Sequence, residues 1–196
     1  MKILGPFMML LLATSAVAEP GSAAAAKPTK PAAKPAWVYQ KGRMNWEGDW
    51  SFGVDEVDYR DKAAAPIEGP FDIAISGRQW GGWQPFFSLT CQSQHAVCFD
   101  TTPYKFLIFS GKGTVAHQIF QVGFMSPGDK PDGPVIMVSQ YCSGGSDLEV
   151  GKWTSCKIPL SAFKLIDTKI SKFWIQDQTG LTTNKWYLDD VGFTPD

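Results

Sequence analysis

The sequence predicts an all-β protein with the strand-and-turn pattern of a sandwich or barrel. No stretch of sufficient length repeats its apolar residues with the 3.6-residue period of a helix. Short runs rich in β-branched and aromatic residues alternate instead with Gly, Pro, Asp and Ser, which is typical of strands separated by turns. The 196 residues include 13 Phe, 8 Trp and 5 Tyr. Phe7 is the one aromatic residue before position 37, so we expect the folded domain to span residues 37–196.

The first 18 residues have the three parts of a secretory signal peptide. Lys2 gives the positive start, residues 3–12 are almost wholly apolar, and Ala16-Val17-Ala18 places small residues at a cleavage site. The apolar run is too short to cross a bilayer, which requires about 20 residues. The chain is therefore predicted to be secreted, either to the extracellular space or to the periplasm, without a transmembrane segment.

Residues 19–36 are predicted to form a disordered linker. Alanine, proline and lysine dominate this stretch, and it has no bulky apolar residue. Such a composition cannot bury enough surface to offset the conformational entropy of the chain. Its lysines, Lys27, Lys30 and Lys34, either belong to a simple spacer or rest on an anionic polymer or lipid surface.

Nine segments of the domain have the composition of strands: 50–57, 71–76, 86–90, 105–110, 118–125, 135–141, 154–159, 172–177 and 186–193. Glycine- and proline-rich turns are predicted at 111–113, 127–134 and 143–146, and a single helical turn at 161–163. No internal repeat is evident.

Alternation along two of these strands predicts which side chains face the core. Successive side chains of a strand point to opposite sides, so Phe173 and Ile175 should face inward while Trp174 and Gln176 face outward. On segment 118–125, Phe120, Val122 and Phe124 should face inward, and Gln121 outward.

Four cysteines follow the predicted signal peptide, namely Cys91, Cys98, Cys142 and Cys156. An even number in an exported chain suggests disulfides, and four cysteines allow three pairings. We favour Cys91–Cys98 and Cys142–Cys156, because each pair brackets a hairpin or loop whose ends are close. A zinc site is disfavoured, since no C-x-x-C spacing is present and neither histidine has a zinc-finger spacing.

The formal net charge of the chain is −1. From Trp37 onward, 14 basic residues accompany 18 acidic ones, so the domain carries about −4. An acidic domain lacks the positive surface that nucleic-acid binding requires. Nucleic acid is therefore excluded as the expected partner.

The last sixty residues resemble the C-terminal half of jelly-roll carbohydrate-binding modules, which have a galactose-binding-like β-sandwich. The resemblance is carried by Trp153-Thr154 followed by Ile158-Pro159-Leu160-Ser161-Ala162-Phe163, by residues 170–176, and by Trp186-Tyr187-Leu188-Asp189-Asp190-Val191-Gly192-Phe193. Residues 38–39, 46–51, 80–82 and 104–107 follow the order of the same modules. The resemblance implies a single-domain jelly roll of two antiparallel sheets with a concave face.

It also implies non-catalytic binding of a polysaccharide or cell-wall glycan. Sugars present apolar C–H patches that suit flat aromatic rings, and hydroxyl groups that suit amide, Arg and Asp side chains. The predicted ligand-binding residues combine both kinds: Arg78, Trp80, Trp83, Gln121, Tyr141, Trp174 and Gln176. Only one of Trp80 and Trp83 is expected to be exposed, and Trp46, Trp50 and Trp186 are assigned to the core. The protein is predicted to be a monomer.

In similar modules a structural calcium ion often joins the start of the domain to the closing strand. Calcium binds carboxylate and carbonyl oxygens. The resemblance places such a site at Glu47, Asp49 and Asp190, with Asp189 and Asp55 as alternatives. The competing interpretation is that Asp189 and Asp190 accept local backbone hydrogen bonds.

Two other function classes stay open. A glycan-cleaving enzyme on this fold would need two carboxylates flanking the scissile bond, or a Tyr, His or Lys base near an Arg. Asp177, His117 and Lys105 are candidates, but no recognised motif joins them. A sandwich that docks on a protein or membrane would show the same aromatic pattern.

Overall fold

A computed structural model describes residues 33–145 and 147–196 of the chain. The predicted signal peptide and all but the last four residues of the predicted linker lie outside those ranges. Ala36, the last residue assigned to the linker, already belongs to the first strand. The described residues contain no α-helix. They also include no helix with the length and apolar character needed to cross a membrane.

Fourteen strands run through the described residues: β1 (Ala36–Gln40), β2 (Arg43–Met44), β3 (Gly48–Asp49), β4 (Phe52–Asp61), β5 (Asp72–Trp83), β6 (Pro85–Phe86), β7 (Phe99–Asp100), β8 (Phe106–Gly113), β9 (Phe120–Ser126), β10 (Lys130–Met137), β11 (Trp153–Pro159), β12 (Lys169–Ile170), β13 (Lys172–Asp177) and β14 (Thr183–Thr194). Four short 3-10 helices lie between them, at Leu89–Gln92, His95–Val97, Ser139–Tyr141 and Leu160–Phe163.

Most predicted strands are confirmed, with shifted ends. The prediction for 172–177 coincides with β13, and the helical turn predicted at 161–163 lies within a 3-10 helix. Segment 86–90 was wrong after Phe86, because the Ser88 side chain accepts a hydrogen bond from the Thr90 N–H and starts a 3-10 helix. Segment 135–141 was wrong at both ends, since β10 begins inside the predicted turn and ends at Met137.

The strands form two layers that share two long strands. What we call the front layer has the order β10-β9-β13, followed by the end of β5 and β6, and then β3 with the start of β4. The back layer has the order β11-β8-β14, followed by the first part of β5 and then the rest of β4. β1 joins the other end of β14, and β2 pairs with β1. A small separate sheet pairs β7 with β12.

The core lies between the two layers and is largely aromatic. Phe173 of the front layer meets Phe193 of the back layer with ring centroids 5.8 Å apart. Phe120 and Trp186 make a second contact across the layers, at 4.7 Å. Trp46 packs into the same cluster, and both it and Trp186 are buried as expected. Burial of large aromatic side chains supplies much of the apolar area that stabilises such a sandwich.

Both expected disulfide pairings are confirmed. Cys91 is bonded to Cys98, and Cys142 to Cys156. The second bridge attaches the segment after β10, an edge strand of the front layer, to β11 at the edge of the back layer. It therefore ties the two layers together at one side of the sandwich.

Candidate functional site

The front layer turns a row of aromatic and amide side chains away from the core. On β13, Phe173 and Ile175 are fully buried, while Trp174 and Gln176 between them are only half-buried. This alternation is the one predicted from the sequence. The outward-facing surface, which we call the front face, consists of Trp50, Phe52, Gln84, Phe86, Gln121, Met125, Lys172, Trp174 and Gln176.

Strand register arranges the front face in cross-strand rows. Trp174 lies opposite Gly123 on β9, and the register places Gln84 and then Trp50 on its other side. A backbone hydrogen bond from the Trp50 N–H to the Gln84 carbonyl, 2.8 Å long, continues that row. A parallel row lies two residues further along the strands. It consists of Gln121, Gln176, Gly82 and Phe52.

Trp174 lies flat across the neighbouring strand because its opposite residue is glycine. A Cβ atom added to Gly123 would lie 2.1 Å from Cζ2 of Trp174. Phe52 lies over Gly82 in the same way, with Cζ 2.6 Å from the corresponding position. One side of the Trp174 indole therefore rests on the sheet, and the other side points away from it.

An amide pair beside Trp174 is held in a fixed orientation. The Gln121 side-chain amide donates a hydrogen bond to Oε1 of Gln176, and Nε2 of Gln176 donates to the Trp80 carbonyl oxygen at 2.7 Å. Each amide has two donor hydrogens and a two-lone-pair acceptor, so both keep hydrogen-bonding capacity for a ligand. The pair thus offers oriented polar groups next to a flat ring.

A buried lysine anchors the other end of the front face. Lys172 is 4% exposed and places its Nζ 2.8 Å from Oδ1 of Asp129. The same ammonium group lies 4.2 Å from the centroid of the Trp50 ring. Because a buried cation is costly unless it is paired, these contacts fix the Trp50 ring against the sheet.

Trp80 borders the front face at a kink of β5. Its φ angle is 65°, in the left-handed region, and its side chain is 45% exposed. The indole lies against Gly180, whose Cβ position would be 3.4 Å from Cη2 of Trp80. The hydrogen bond from Gln176 to the Trp80 carbonyl ties this kink to the amide pair.

The structure brings together four of the predicted ligand-binding residues: Trp174, Gln176, Gln121 and Trp80. The prediction for Trp83 was wrong, because Trp83 is 0% exposed and its Nε1 donates to the Tyr59 hydroxyl at 2.9 Å inside the sandwich. The expectation that only one of Trp80 and Trp83 reaches solvent is confirmed.

The remaining two predicted ligand-binding residues lie elsewhere. Arg78 lies beyond the kink, in the part of β5 that pairs with β14, and its Nε is 2.8 Å from Oδ1 of Asp55. Tyr141 lies in the connection between the two layers and lines a separate cavity with Trp37. Tyr141 is therefore not part of the front face, contrary to the prediction.

Sequence reasoning did not assign six of the nine front-face residues to the site, namely Trp50, Phe52, Gln84, Phe86, Met125 and Lys172. Trp50 was assigned to the core, yet it is 41% exposed, so that assignment was wrong. Phe52 is also exposed, and Lys172 was not considered. Trp50 and Phe52 are two residues apart in the predicted strand 50–57, and this spacing is the signal that could have found them, since such residues share one side of a sheet.

The predicted calcium ligands do not form a common site. Oε2 of Glu47 accepts from the Leu89 N–H at 2.7 Å. Oδ1 of Asp49 accepts from the Ser51 hydroxyl at 2.6 Å, and its Oδ2 accepts from Tyr59. Asp190 lies on β14, which pairs with β1, β5 and β8. Across residues 33–145 and 147–196, no group of three or more His, Cys, Asp or Glu side chains is arranged to hold a metal ion.

Asp189 on the closing strand accepts backbone hydrogen bonds, one of them from its neighbour in the chain, as the competing interpretation expected. Oδ2 of Asp189 accepts from the Ile67 N–H at 2.9 Å, and its Oδ1 accepts from the Asp190 N–H at 2.8 Å. Burial raises the pKa of Asp190 to about 6, with the neighbouring Asp189 carboxyl as a further cause. Asp72, opposite Asp61 on β4, is fully buried nearby.

Comparisons with known proteins identify the fold. The sequence matches no protein-family model and no curated protein. Similar solved structures include a family 29 carbohydrate-binding module, with a TM-score of 0.53 and 10% identity over 83% of this chain and 93% of that one. Another family 29 structure, in complex with cellulohexaose, has a TM-score of 0.52 and 10% identity over 82% of this chain and 89% of that one.

A family 11 module from a cellulosomal cellulase of Clostridium thermocellum has a TM-score of 0.50 and 16% identity, over 83% of this chain and 95% of the module. At these identities the likeness concerns the fold. The predicted β-sandwich, and its resemblance to carbohydrate-binding modules without one resolved family, are both confirmed.

Proposed function

We propose that the front face binds a polysaccharide chain without cleaving it. The observation that carries this proposal is the Trp174 indole, which lies flat on Gly123 with its other side directed outward and the Gln121–Gln176 amide pair beside it. A flat apolar ring next to oriented hydrogen-bonding groups matches the two kinds of surface that a sugar presents.

The rows of the front face suit an extended ligand better than a single sugar. Trp50 and Trp174 lie in one row with Gln84 between them, so they are two strand spacings, or roughly 9–10 Å, apart. Trp80 adds an exposed ring next to Gln176. The rings can therefore contact different units of one chain, with the amides directed to hydroxyls between them.

The fold supports the same ligand class. A family 29 module of this fold has been solved with cellulohexaose, and another with mannohexaose. Secretion, suggested by the N-terminal sequence, agrees with the two disulfides, because disulfides persist in oxidising compartments. We propose that the protein acts outside the cytoplasm, where polysaccharides are found.

Affinity should be modest. A stacked aromatic ring adds about 0.5–1.5 kcal/mol beyond the area it buries. A few such contacts, offset by the ordering of the sugar chain, correspond to a Kd in the micromolar to millimolar range.

Affinity gel electrophoresis with soluble glucomannan, xyloglucan, xylan and β-glucan tests the proposal. At least one of these polysaccharides should retard the wild type, and it should retard the Trp80→Ala/Trp174→Ala double variant clearly less. Trp153→Ala is the matched control, because Trp153 is a half-buried tryptophan of the back layer. Equal retardation of the wild type and the double variant would contradict the proposal, as would release of new reducing ends from a bound glycan.

A further inference from the structure

A second tryptophan lies against a glycine on the back layer. Trp37 of β1 stands opposite Gly192 of β14, and a Cβ atom on Gly192 would lie 2.7 Å from Cε3 of Trp37. Val191 and Phe193 on either side of Gly192 are fully buried, so Gly192 faces outward. Trp37 is half-buried. As at Gly123 on the front layer, a glycine leaves room for part of an indole on the outer side of the sheet.

This indole borders a cavity of about 680 Å³, which we call the back cavity. Small-molecule sites usually have volumes of about 300–1,000 Å³. The side chains used in the argument below are Trp37, Ser110, Tyr141, Ser155, Lys157 and Asp190, all of which line it.

The floor of the back cavity combines the apolar side chain of Ile108 with glycine and serine. Gly192 lies opposite Ile108 on β8, and Ile108 lies opposite Lys157 on β11. In the next row, Ser110 lies opposite Ser155. Glycine and serine at these positions leave space above the sheet between Trp37 at one edge and Lys157 near the other.

The far wall is held by a disulfide. Cys142 pairs with Cys156 on β11, which places Tyr141 beside Lys157. The Ser143 N–H donates to the Ser155 carbonyl at 2.8 Å and continues this pairing. The wall is therefore covalently fixed to the floor, and the cavity exists before any ligand binds.

The polar groups of the back cavity suit a neutral, hydroxyl-rich ligand. Ser110, Ser155 and Tyr141 supply hydroxyl groups that both donate and accept hydrogen bonds. Lys157 and Asp190 bring one positive and one negative group, so the lining favours neither sign of charge.

We propose that the back cavity is a second oligosaccharide site, with Trp37 as its stacking platform and Tyr141 as its opposite wall. The geometry of the site is independent of the front face, while the choice of a neutral oligosaccharide as its ligand rests on the proposed function. Two sites on opposite layers make the protein bivalent. It should then bridge two polysaccharide chains, which a single front-face site cannot do.

Titration of the full ¹⁵N-labelled chain with cellohexaose and with mannohexaose, followed by NMR, tests the two sites separately. The indole N–H signals of Trp37 and Trp174 report the back cavity and the front face. With at least one of these probes both signals should shift, and the Trp37 shift should persist in the Trp80→Ala/Trp174→Ala variant. A shift of Trp174 without Trp37 overturns the second site and leaves the proposed function standing. No shift of either signal with both probes overturns both.

Filling the cavity tests the same proposal without removing an aromatic side chain. Ser155 is exposed, so Ser155→Arg should fold and should reduce the Trp37 shift at least fivefold while the Trp174 shift stays unchanged. Ser93→Arg, the same change at an exposed serine near the Cys91–Cys98 bridge, is the control and should change neither shift. An unchanged Trp37 shift in Ser155→Arg would show that the signal moves for a reason other than ligand in the cavity, and would overturn the proposal.

Discussion

The indole of Trp174 occupies the space that a side chain on Gly123 would need. The position of a Cβ on Gly123 lies 2.1 Å from Cζ2 and 2.4 Å from Cη2 of Trp174. Glycine on β9 therefore allows the ring on β13 to lie parallel to the sheet. A ring perpendicular to the sheet would present its edge to a sugar instead of its flat side.

Gly123→Ala should accordingly weaken glycan binding without touching any group that contacts the ligand. We expect about a tenfold loss of affinity, close to the loss of one stacked ring, or about 1.4 kcal/mol. Isothermal titration calorimetry with the polysaccharide that retards the wild type measures this effect.

Gly128→Ala is the control for a general loss of stability. Gly128 has a φ of 79° and no neighbouring atom within 4 Å of its Cβ position, so alanine strains the backbone there without contacting Trp174. Its affinity should stay at the wild-type value. Parallel losses in both variants would mean that stability, and not ring placement, controls binding.

The Gln121–Gln176 pair should contribute separately from the rings. Gln176→Ala removes an acceptor for Gln121 and a donor to the Trp80 carbonyl. Since one hydrogen bond from the amide pair to a ligand has a net value of about 0.5–1.5 kcal/mol, affinity should fall about two- to tenfold. Gln94→Ala, at an exposed glutamine away from the front face, should bind as the wild type does. Wild-type affinity of Gln176→Ala in calorimetry would remove the amide pair from the site.

Trp50 should matter more for long ligands than for short ones. It lies two strands from Trp174, and its ring is fixed by the Lys172 ammonium at 4.2 Å. A chain that reaches both rings loses one stacking contact in Trp50→Ala, whereas a chain that covers only the Trp174 end loses nothing. The affinity for a hexasaccharide should fall about three- to tenfold and that for a trisaccharide should not change. No loss for the hexasaccharide would place Trp50 outside the binding surface, and equal losses for both lengths would contradict its place at the far end of that surface.

The fold was largely predictable because alternation and turn composition are local properties. Segment 172–177 alternates apolar and polar residues without interruption, and its strand matches the prediction residue for residue. Segment 127–134 was misjudged because its glycine and prolines indicated a turn. There Asp132 accepts hydrogen bonds from the Ile166 and Asp167 N–H groups, and a bulge absorbs the following residues. Such long-range partners leave no local sequence signal.

The site was predictable only in part, because the burial of a side chain depends on which strand is adjacent to it in the sheet. Trp80 and Trp83 have similar surroundings in the sequence, but the left-handed φ of Trp80 turns the strand between them. Trp50 reaches solvent because only a two-residue strand precedes it, at an edge of the front layer. The glycines opposite Trp174 and Trp37 become meaningful only when the register is known.

Asp72 should make stability fall as the pH rises. It is 0% exposed, and neither carboxyl oxygen has a hydrogen-bond partner among the described residues. Burial, with the Asp61 and Asp189 carboxyl groups as further causes, raises its pKa from 3.8 to about 7. Because the folded state binds this proton more tightly than the unfolded state, the stabilisation is complete below about pH 4 and is lost as the pH rises to about 7.

Asp72→Asn should flatten this dependence. Urea denaturation between pH 4 and 8 should show the wild type losing on the order of 2–4 kcal/mol relative to the variant over that range. Other carboxyl groups act in the opposite direction, as hydrogen bonds from Thr102 lower the pKa of Asp100, so the difference between the two proteins is the quantity to compare. Asp58→Asn, a change at an aspartate of the neighbouring strand β4, should keep the wild-type slope. Parallel curves for Asp72→Asn and the wild type would refute the assignment.

Removal of the two disulfides should lower the free energy of unfolding by different amounts. Cys142 and Cys156 are 14 residues apart and link the two edges of the sandwich, while Cys91 and Cys98 are 7 residues apart within one loop. The entropy of loop closure grows with the logarithm of loop length. Replacing both cysteines of the longer bridge by alanine should therefore cost about 3 kcal/mol of unfolding free energy, and the shorter bridge roughly 0.6 kcal/mol less.

Removal of the two disulfides should differ more in its effect on ligand affinity than in its effect on stability. The Cys142–Cys156 bridge fixes Tyr141 beside Lys157, so its loss should weaken binding in the back cavity at least fivefold. The front-face residues lie on other strands, and their affinity should stay at the wild-type value in both double variants. NMR titration with the hexasaccharides, under conditions where each variant remains folded, gives both affinities in one experiment. If loss of the Cys91–Cys98 bridge weakened the back cavity equally, the fixed wall would not be the reason that the cavity binds.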